Sequence, residues 1–262
     1  MIHFSHANGF PAETYHQIIK RLKNFTEVGY INRLGHDPNY PVVDNWWTLV
    51  NESLDYISTN YDQPVIAVGH SLGGVLSYFG CLKQPELFKA VVLLDAPIYG
   101  YRKIIFLNML KKLKLMDYVT PAKVTKSRRM TWPSHQAAFE HFRTKKVFKY
   151  FDDSCLKDYI SYGTELVDKD SSEIRLIFDP SIELEIYRTL PTVHIAKLPN
   201  NIACSLIYGE YSNVIRPNDV KVMAQDYDIS CYKMLKCGHL FPFEKPEETV
   251  RKIIQSMELL RN

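Results

Sequence analysis

No stretch of this chain approaches the ~20 consecutive apolar residues needed to cross a bilayer. The opening Met1-Ile2-His3-Phe4 also lacks the basic-then-apolar order of a secretory leader. Together these absences point to a soluble, cytoplasmic protein. Cysteine is sparse: Cys81, Cys155, Cys204, Cys231 and Cys237 are odd in number, scattered and without a C-x-x-C pair. That pattern argues against a disulfide frame or a zinc centre and reads as reduced thiols. No phosphate-cradling glycine loop, metal-ligand spacing or nucleic-acid motif is present, so no cofactor, no metal and no nucleic-acid partner are expected. Internal repeats and low-complexity tracts are missing as well.

What is present fits one domain carrying a large insertion: 262 residues with 46% hydrophobic composition. The net charge of +3 hides an uneven distribution. Residues 98–150 hold thirteen Lys/Arg against two acids, Asp117 and Glu140, so the rest of the chain is net acidic. Such a split marks the middle as a unit with its own electrostatics.

Around that middle, strand patterns at 2–5, 28–31, 65–68 (an apolar β-branched run), 88–95, 203–208 and 230–235 alternate with helical patterns at 13–22, 44–60, 75–79 and 246–260. Asp44 reads as a helix cap and Pro246 as a first-turn proline. Alternation of this kind implies parallel β-α-β units with right-handed crossovers. The predicted fold class is α/β: a mostly parallel doubly wound sheet of about six strands, small because the chain starts in a central strand. The alternation stops between 98 and 199, where helical patterns (104–115, 134–150, 182–190), turns at Thr120-Pro121 and Trp132-Pro133, and one candidate strand (174–178) read as an inserted, mainly helical cap. The expected division is therefore 1–97 and 200–262 for the core and 98–199 for the cap, which would roof the carboxyl edge of the sheet.

The stretch Val-Ile-Ala-Val-Gly-His-Ser-Leu-Gly-Gly at 65–74 carries the chemistry. A strand breaks at Gly69-His70-Ser71-Leu72-Gly73 and a helix follows, which is the G-x-S-x-G nucleophile elbow. Its turn strains the serine backbone, so neighbours two residues away must lack side chains. Ser71 is then presented at the sheet edge beside the first amides of the helix. A serine hydroxyl needs a neighbouring base, and imidazole serves near neutral pH. His239, in the Cys237-Gly238-His239 loop after the last strand, is the candidate.

With the elbow, the loop His6-Ala7-Asn8-Gly9 after the first strand, and the terminal Gly238-His239, the chain resembles the α/β-hydrolases across nearly its whole core. The resemblance implies an oxyanion hole made by the amides of Leu72 and Asn8, with Ala7 standing where such enzymes usually carry glycine. Asn8 could instead offer its side-chain amide, or simply stabilise the turn before Gly9. The resemblance also implies a triad acid after the strand at 203–208, but the matching position is Ser212. Asp95, at the end of the strand following the elbow helix, is the preferred acid; some family members place it there. Glu210 is the alternative acid, and Asp219 or a water remains open.

His6, His70, Tyr99 and Trp132 are candidates for the substrate pocket. The basic stretch, notably Lys111, Lys112, Lys114, Lys126, Arg128 and Arg129, forms a solvated face, or meets an anionic ligand or acidic lipid. The expected function is hydrolysis of a small-molecule carboxylic ester, or of a thioester, through an acyl-enzyme. The alternatives are a non-catalytic ligand- or partner-binding protein of the same fold, suggested by Ser212, and a carbon–carbon hydrolase or acyltransferase.

Overall fold

The architecture is that of a computed structural model, which describes residues 1–259. Six parallel strands form the central sheet: β1 (Ile2–Ser5), β2 (Val28–Tyr30), β3 (Val65–His70), β4 (Phe88–Leu94), and, beyond an insertion, β8 (Ala203–Gly209) and β9 (Ser230–Met234). Their order is β2-β1-β3-β4-β8-β9. Every adjacent pair runs parallel, and α-helical crossovers cover both faces. The crossover helices are α1 (His16–Leu22), α2 (Trp47–Asn60), α3 (Leu72–Lys83) and α10 (Pro217–Asp226), and after β9 the short α11 (Phe241–Glu244) leads to α12 (Pro246–Leu259). The helix expected to reach 260 ends the described chain as α12, and position 260 itself lies outside the described residues.

Side chains alternate across the pleat, so the apolar residues of the central strands are buried on both faces of the sheet. Ile66, Val68, Ala90, Val92 and Leu94 pack with Ile18, Leu22, Val250 and Ile253, the α1 and α12 side. Val65, Ala67, Val91 and Leu93 pack with Leu49, Leu54, Val75 and Leu76, the α2 and α3 side. Because β1 leads to a helix on one face and β3 to a helix on the other, the switch point of the sheet lies between them. A ligand crevice belongs at that point, outside the strands' carboxyl ends.

Asp44 does not cap α2. A 3-10 turn, Asp44–Trp46, precedes that helix, with Asn45 and Trp46 in left-handed backbone and no side-chain cap. The Asp44 carboxylate instead reaches the insertion and pairs with Lys111 at 2.5 Å.

Between β4 and β8 lie α4 (Tyr101–Lys112), α5 (Met116–Val119), α6 (Ala122–Lys126), α7 (His135–Arg143), α8 (Asp153–Gly163) and α9 (Pro180–Arg188). The segment is less purely helical than its patterning suggests. Strands β5 (Thr131–Trp132), β6 (Thr164–Leu166) and β7 (Ile174–Leu176) form an antiparallel sheet in the order β5-β7-β6. The middle strand overlaps the one expected at 174–178. Its partners are two and three residues long, too short for a period-2 signal. The expected helix 134–150 stops at Arg143, and a 3-10 turn, Lys146–Phe148, follows. An aromatic cluster of Phe142, Phe148, Phe151 and Tyr159 joins the insertion to the core through Phe10 and Phe243, with the Phe151 and Phe243 rings stacked at 4.8 Å.

Candidate active site

Ser71 sits between β3 and α3 with φ 51° and ψ −114°, outside the regions L-residues favour. The surrounding chain over-determines that strain. A Cβ on Gly69 would stand 2.4 Å from the Gly73 backbone, and one on Gly73 would stand 2.2 Å from the Ser5 carbonyl oxygen. Only hydrogen fits at either position. The Ser71 amide donates to the Leu94 carbonyl at 2.9 Å, anchoring the elbow to the end of β4.

The loop after β1 lies against the same turn, with Gly73 N donating to the His6 carbonyl at 3.1 Å. Leu72 is the first residue of α3, so its amide has no preceding turn to receive its proton. The Asn8 amide makes no hydrogen bond among the described residues. Neither amide is spent on another group among the described residues. The Asn8 side chain is committed elsewhere, its Nδ2 donating to the Glu183 carbonyl at 3.0 Å. Glu183, buried, is chelated by Arg128 through two 2.6 Å bonds and accepts from Thr125 at 2.9 Å. Its carboxylate lies against Gly9, where an added Cβ would approach within 3.0 Å. The loop is thus held between α3 and α9 of the insertion.

Asp95 follows β4 with φ 44° and is fully buried. Its Oδ1 accepts from the Gly209 amide at 2.8 Å; its Oδ2 accepts from Ser212 Oγ at 2.5 Å and from His239 Nδ1 at 2.7 Å. A carboxylate can only accept, so Nδ1 carries the proton and Nε2 is left as the basic nitrogen. The His239 ring lies 5.0 Å, centroid to centroid, from that of His70, the residue before Ser71. No hydrogen bond joins the Ser71 hydroxyl to His239 among the described residues; in unliganded sites such contacts are often long and tighten with substrate.

The His239 loop is built by residues that motif reading passes over. Gly209 admits it, since a Cβ there would meet the Gly238 oxygen at 2.2 Å. Glu244, whose carboxyl is raised by burial, accepts from the Gly238 amide at 3.1 Å. Glu210 turns outward and accepts from the Lys236 amide at 2.9 Å, so it supports the loop without touching the imidazole. Asp219 is spent on Lys103 at 2.8 Å and on the Arg216 amide at 2.9 Å.

Of the four pocket candidates, two are reassigned. His6 is fully buried, its Nδ1 donating to the Ala7 carbonyl at 2.8 Å and its Nε2 accepting from the Leu34 amide at 2.8 Å. It staples two loops together and has no face left for substrate. His70 is also fully buried. Its Nε2 donates to the His239 carbonyl at 3.0 Å and its Nδ1 accepts from the Tyr15 hydroxyl at 2.7 Å. Contacts spanning 55 and 169 residues leave no local signal. Tyr99 stays near the site edge, its ring 4.0 Å from Lys103 Nζ. Trp132 is buried within the insertion against Phe142 and borders a cleft of about 260 Å³ shared with Arg129, Pro133 and Ser172. That cleft belongs to the insertion's own loops.

Burial drives His3 down to about 3, His6 down to about 4, and His70 well below the usual imidazole value. In the unfolded chain the same groups titrate near 6.5, so below that pH the unfolded state binds more protons. Stability from these residues is complete above about pH 6.5 and drains as pH falls towards 4. Urea midpoints measured from neutral pH downward should fall across this window. His6→Gln should flatten the slope by about one proton; an unchanged slope would show that His6 is not buried neutral.

A family model described as the alpha/beta hydrolase family matches residues 4–252. The chain is 22% identical over 237 residues to ethanol acetyltransferase 1 of Kluyveromyces lactis, covering 83% of this chain and 61% of that protein; it thus spans less than two thirds of that relative's length. Among solved structures, E-2-(acetamidomethylene)succinate hydrolase superposes with a TM-score of 0.75 at 17% identity, covering 98% of this chain and 91% of the other. A thioesterase domain from the curacin biosynthetic pathway gives 0.68 at 16% identity, covering 97% and 90%. At such identities the structural likeness speaks for the fold.

Proposed function

The chain belongs to the alpha/beta hydrolase family, and from that premise we propose that it is a serine hydrolase cleaving a carboxylic ester, or a thioester, through an acyl-enzyme. The observation that carries the reading is the Asp95–His239 hydrogen bond of 2.7 Å, formed beside the elbow that presents Ser71.

Ser71 Oγ attacks the carbonyl carbon as its proton passes to His239 Nε2. Asp95 holds the imidazole in the required tautomer and faces the positive charge that develops on it. Negative charge gathering on the carbonyl oxygen meets the amides of Leu72 and Asn8, each such donor contributing ~3 kcal/mol to the transition state. His239 then protonates the leaving alcohol or thiol, and a water activated by the same nitrogen frees the acyl group. The 98–199 segment acts as the cap: it covers this edge and, through Glu183, holds the loop bearing Asn8.

A second reading concerns the acceptor. The acetyltransferase relative favours transfer of the acyl group to an alcohol in place of water. One panel addresses both: esters and thioesters of graded acyl length, with and without added ethanol, and free acid and ethyl ester quantified separately. Free acid as the main product supports hydrolysis; ethyl ester as the main product supports transfer. Absence of turnover across the panel, together with no labelling by a fluorophosphonate, would favour the non-catalytic binding protein.

A further inference from the structure

Helix α4 buries Ile104 and Leu110, yet it also turns a stripe of apolar residues to solvent. Surface helices of soluble proteins put apolar residues inward and charge outward. Here the outward stripe at 100° per residue is Tyr101, Ile105, Phe106, Met109 and Leu113, with Ile105 50%, Phe106 52%, Met109 49% and Leu113 61% exposed. Two of its lysines are paired with acids of the surrounding chain, Lys103 with buried Asp219 and Lys111 with exposed Asp44. Tyr118, Val119 and Val124 on α5 and α6, the next helices in the chain, are exposed as well. So many exposed large apolar side chains on one segment mark a contact site.

The charge around it selects the partner. Arg102, Lys112, Lys114 and Lys123 are exposed and have no ion-pair partner among the described residues. The one acid in the stretch 98–129, Asp117, is bound by Arg188 at 2.6 Å. We propose that α4, α5 and α6 form an interfacial surface that docks the cap onto an anionic phospholipid bilayer. Apolar side chains enter the headgroup boundary and the rim of Lys and Arg meets lipid phosphates. A second copy of the chain fits poorly, because pairing two such faces sets like charges against each other without desolvated partners. The surface does not depend on catalysis. It does place a lipid-facing patch on the helix that begins six residues beyond Asp95.

The test is vesicle co-sedimentation of the full chain with phosphatidylcholine alone and with about 30 mol% phosphatidylglycerol, at about 0.1 M salt. The protein should partition at least about tenfold more strongly to the anionic vesicles, and Phe106→Glu/Met109→Glu and Lys112→Glu/Lys114→Glu should each lose about tenfold. Because all four positions are exposed, both variants should keep the wild-type thermal midpoint, which separates lost docking from lost fold. Equal binding to neutral and anionic vesicles, no binding, or wild-type binding by the Phe106/Met109 variant overturns the assignment. So does a dimer in solution that this variant dissolves, which would give the face to a second copy.

Discussion

Ser71→Ala should abolish fluorophosphonate labelling and lower ester or thioester turnover by roughly 10⁴- to 10⁶-fold, to the residue of catalysis that binding and oxyanion donors supply by themselves. The expected size follows from the chemistry. Without Oγ no acyl-enzyme forms, and the remaining route is direct attack by water in a site shaped for a different nucleophile. The folded state should survive, because removing one hydroxyl from a strained position leaves Gly69, Gly73 and the Leu94 carbonyl contact in place. Labelling and turnover in the variant equal to wild type would sink the assignment, and a matched thermal midpoint ensures that loss of activity is not loss of fold.

Asp95→Asn should cost about 10⁴-fold in kcat with little change in binding. An asparagine of the same shape presents either an amide donor or a weak carbonyl acceptor to His239 Nδ1. In the first case the imidazole is driven into the tautomer whose Nε2 carries the proton and cannot serve as base. Glu210→Gln should stay within about twofold, since that carboxylate reaches only the Lys236 amide. The companion variant is Asp95→Asn/Ser212→Asp. Ser212 and His239 share one oxygen of Asp95, so a carboxylate at 212 starts close to the imidazole and should restore about ten- to a hundredfold. If Glu210→Gln proves the damaging substitution and Asp95→Asn the mild one, the acid has been assigned to the wrong strand.

Ser212 illustrates why motif reading stopped short of the acid. Position 212 lacks the expected charge, which by sequence alone leaves Asp95, Glu210 and Asp219 all open. In space the serine does not stand idle: its hydroxyl donates to Asp95 and accepts from the amides of Val214 and Ile215 at 3.1 Å. The loop position where the resemblance implies an acid here holds a donor to Asp95. That exchange depends on β4 and β8 lying side by side, a pairing across more than a hundred residues that local pattern does not encode.

Local chemistry by itself determined the elements that one segment can specify. Most of the core strands follow from short apolar runs, the elbow from glycines that nothing larger can replace, and the basic character of the 98–150 stretch from composition. Those features obey short-range sterics and burial, which neighbouring residues dictate. Tertiary packing decided the rest. It turned His6 and His70 from pocket candidates into buried staples, added a small sheet between β4 and β8, and set Glu183 and Arg128 behind the Asn8 loop. It also turned the apolar stripe of α4 to solvent. Each of these depends on which distant group arrives as a partner, because a polar side chain can be buried only where another segment completes its hydrogen bonds.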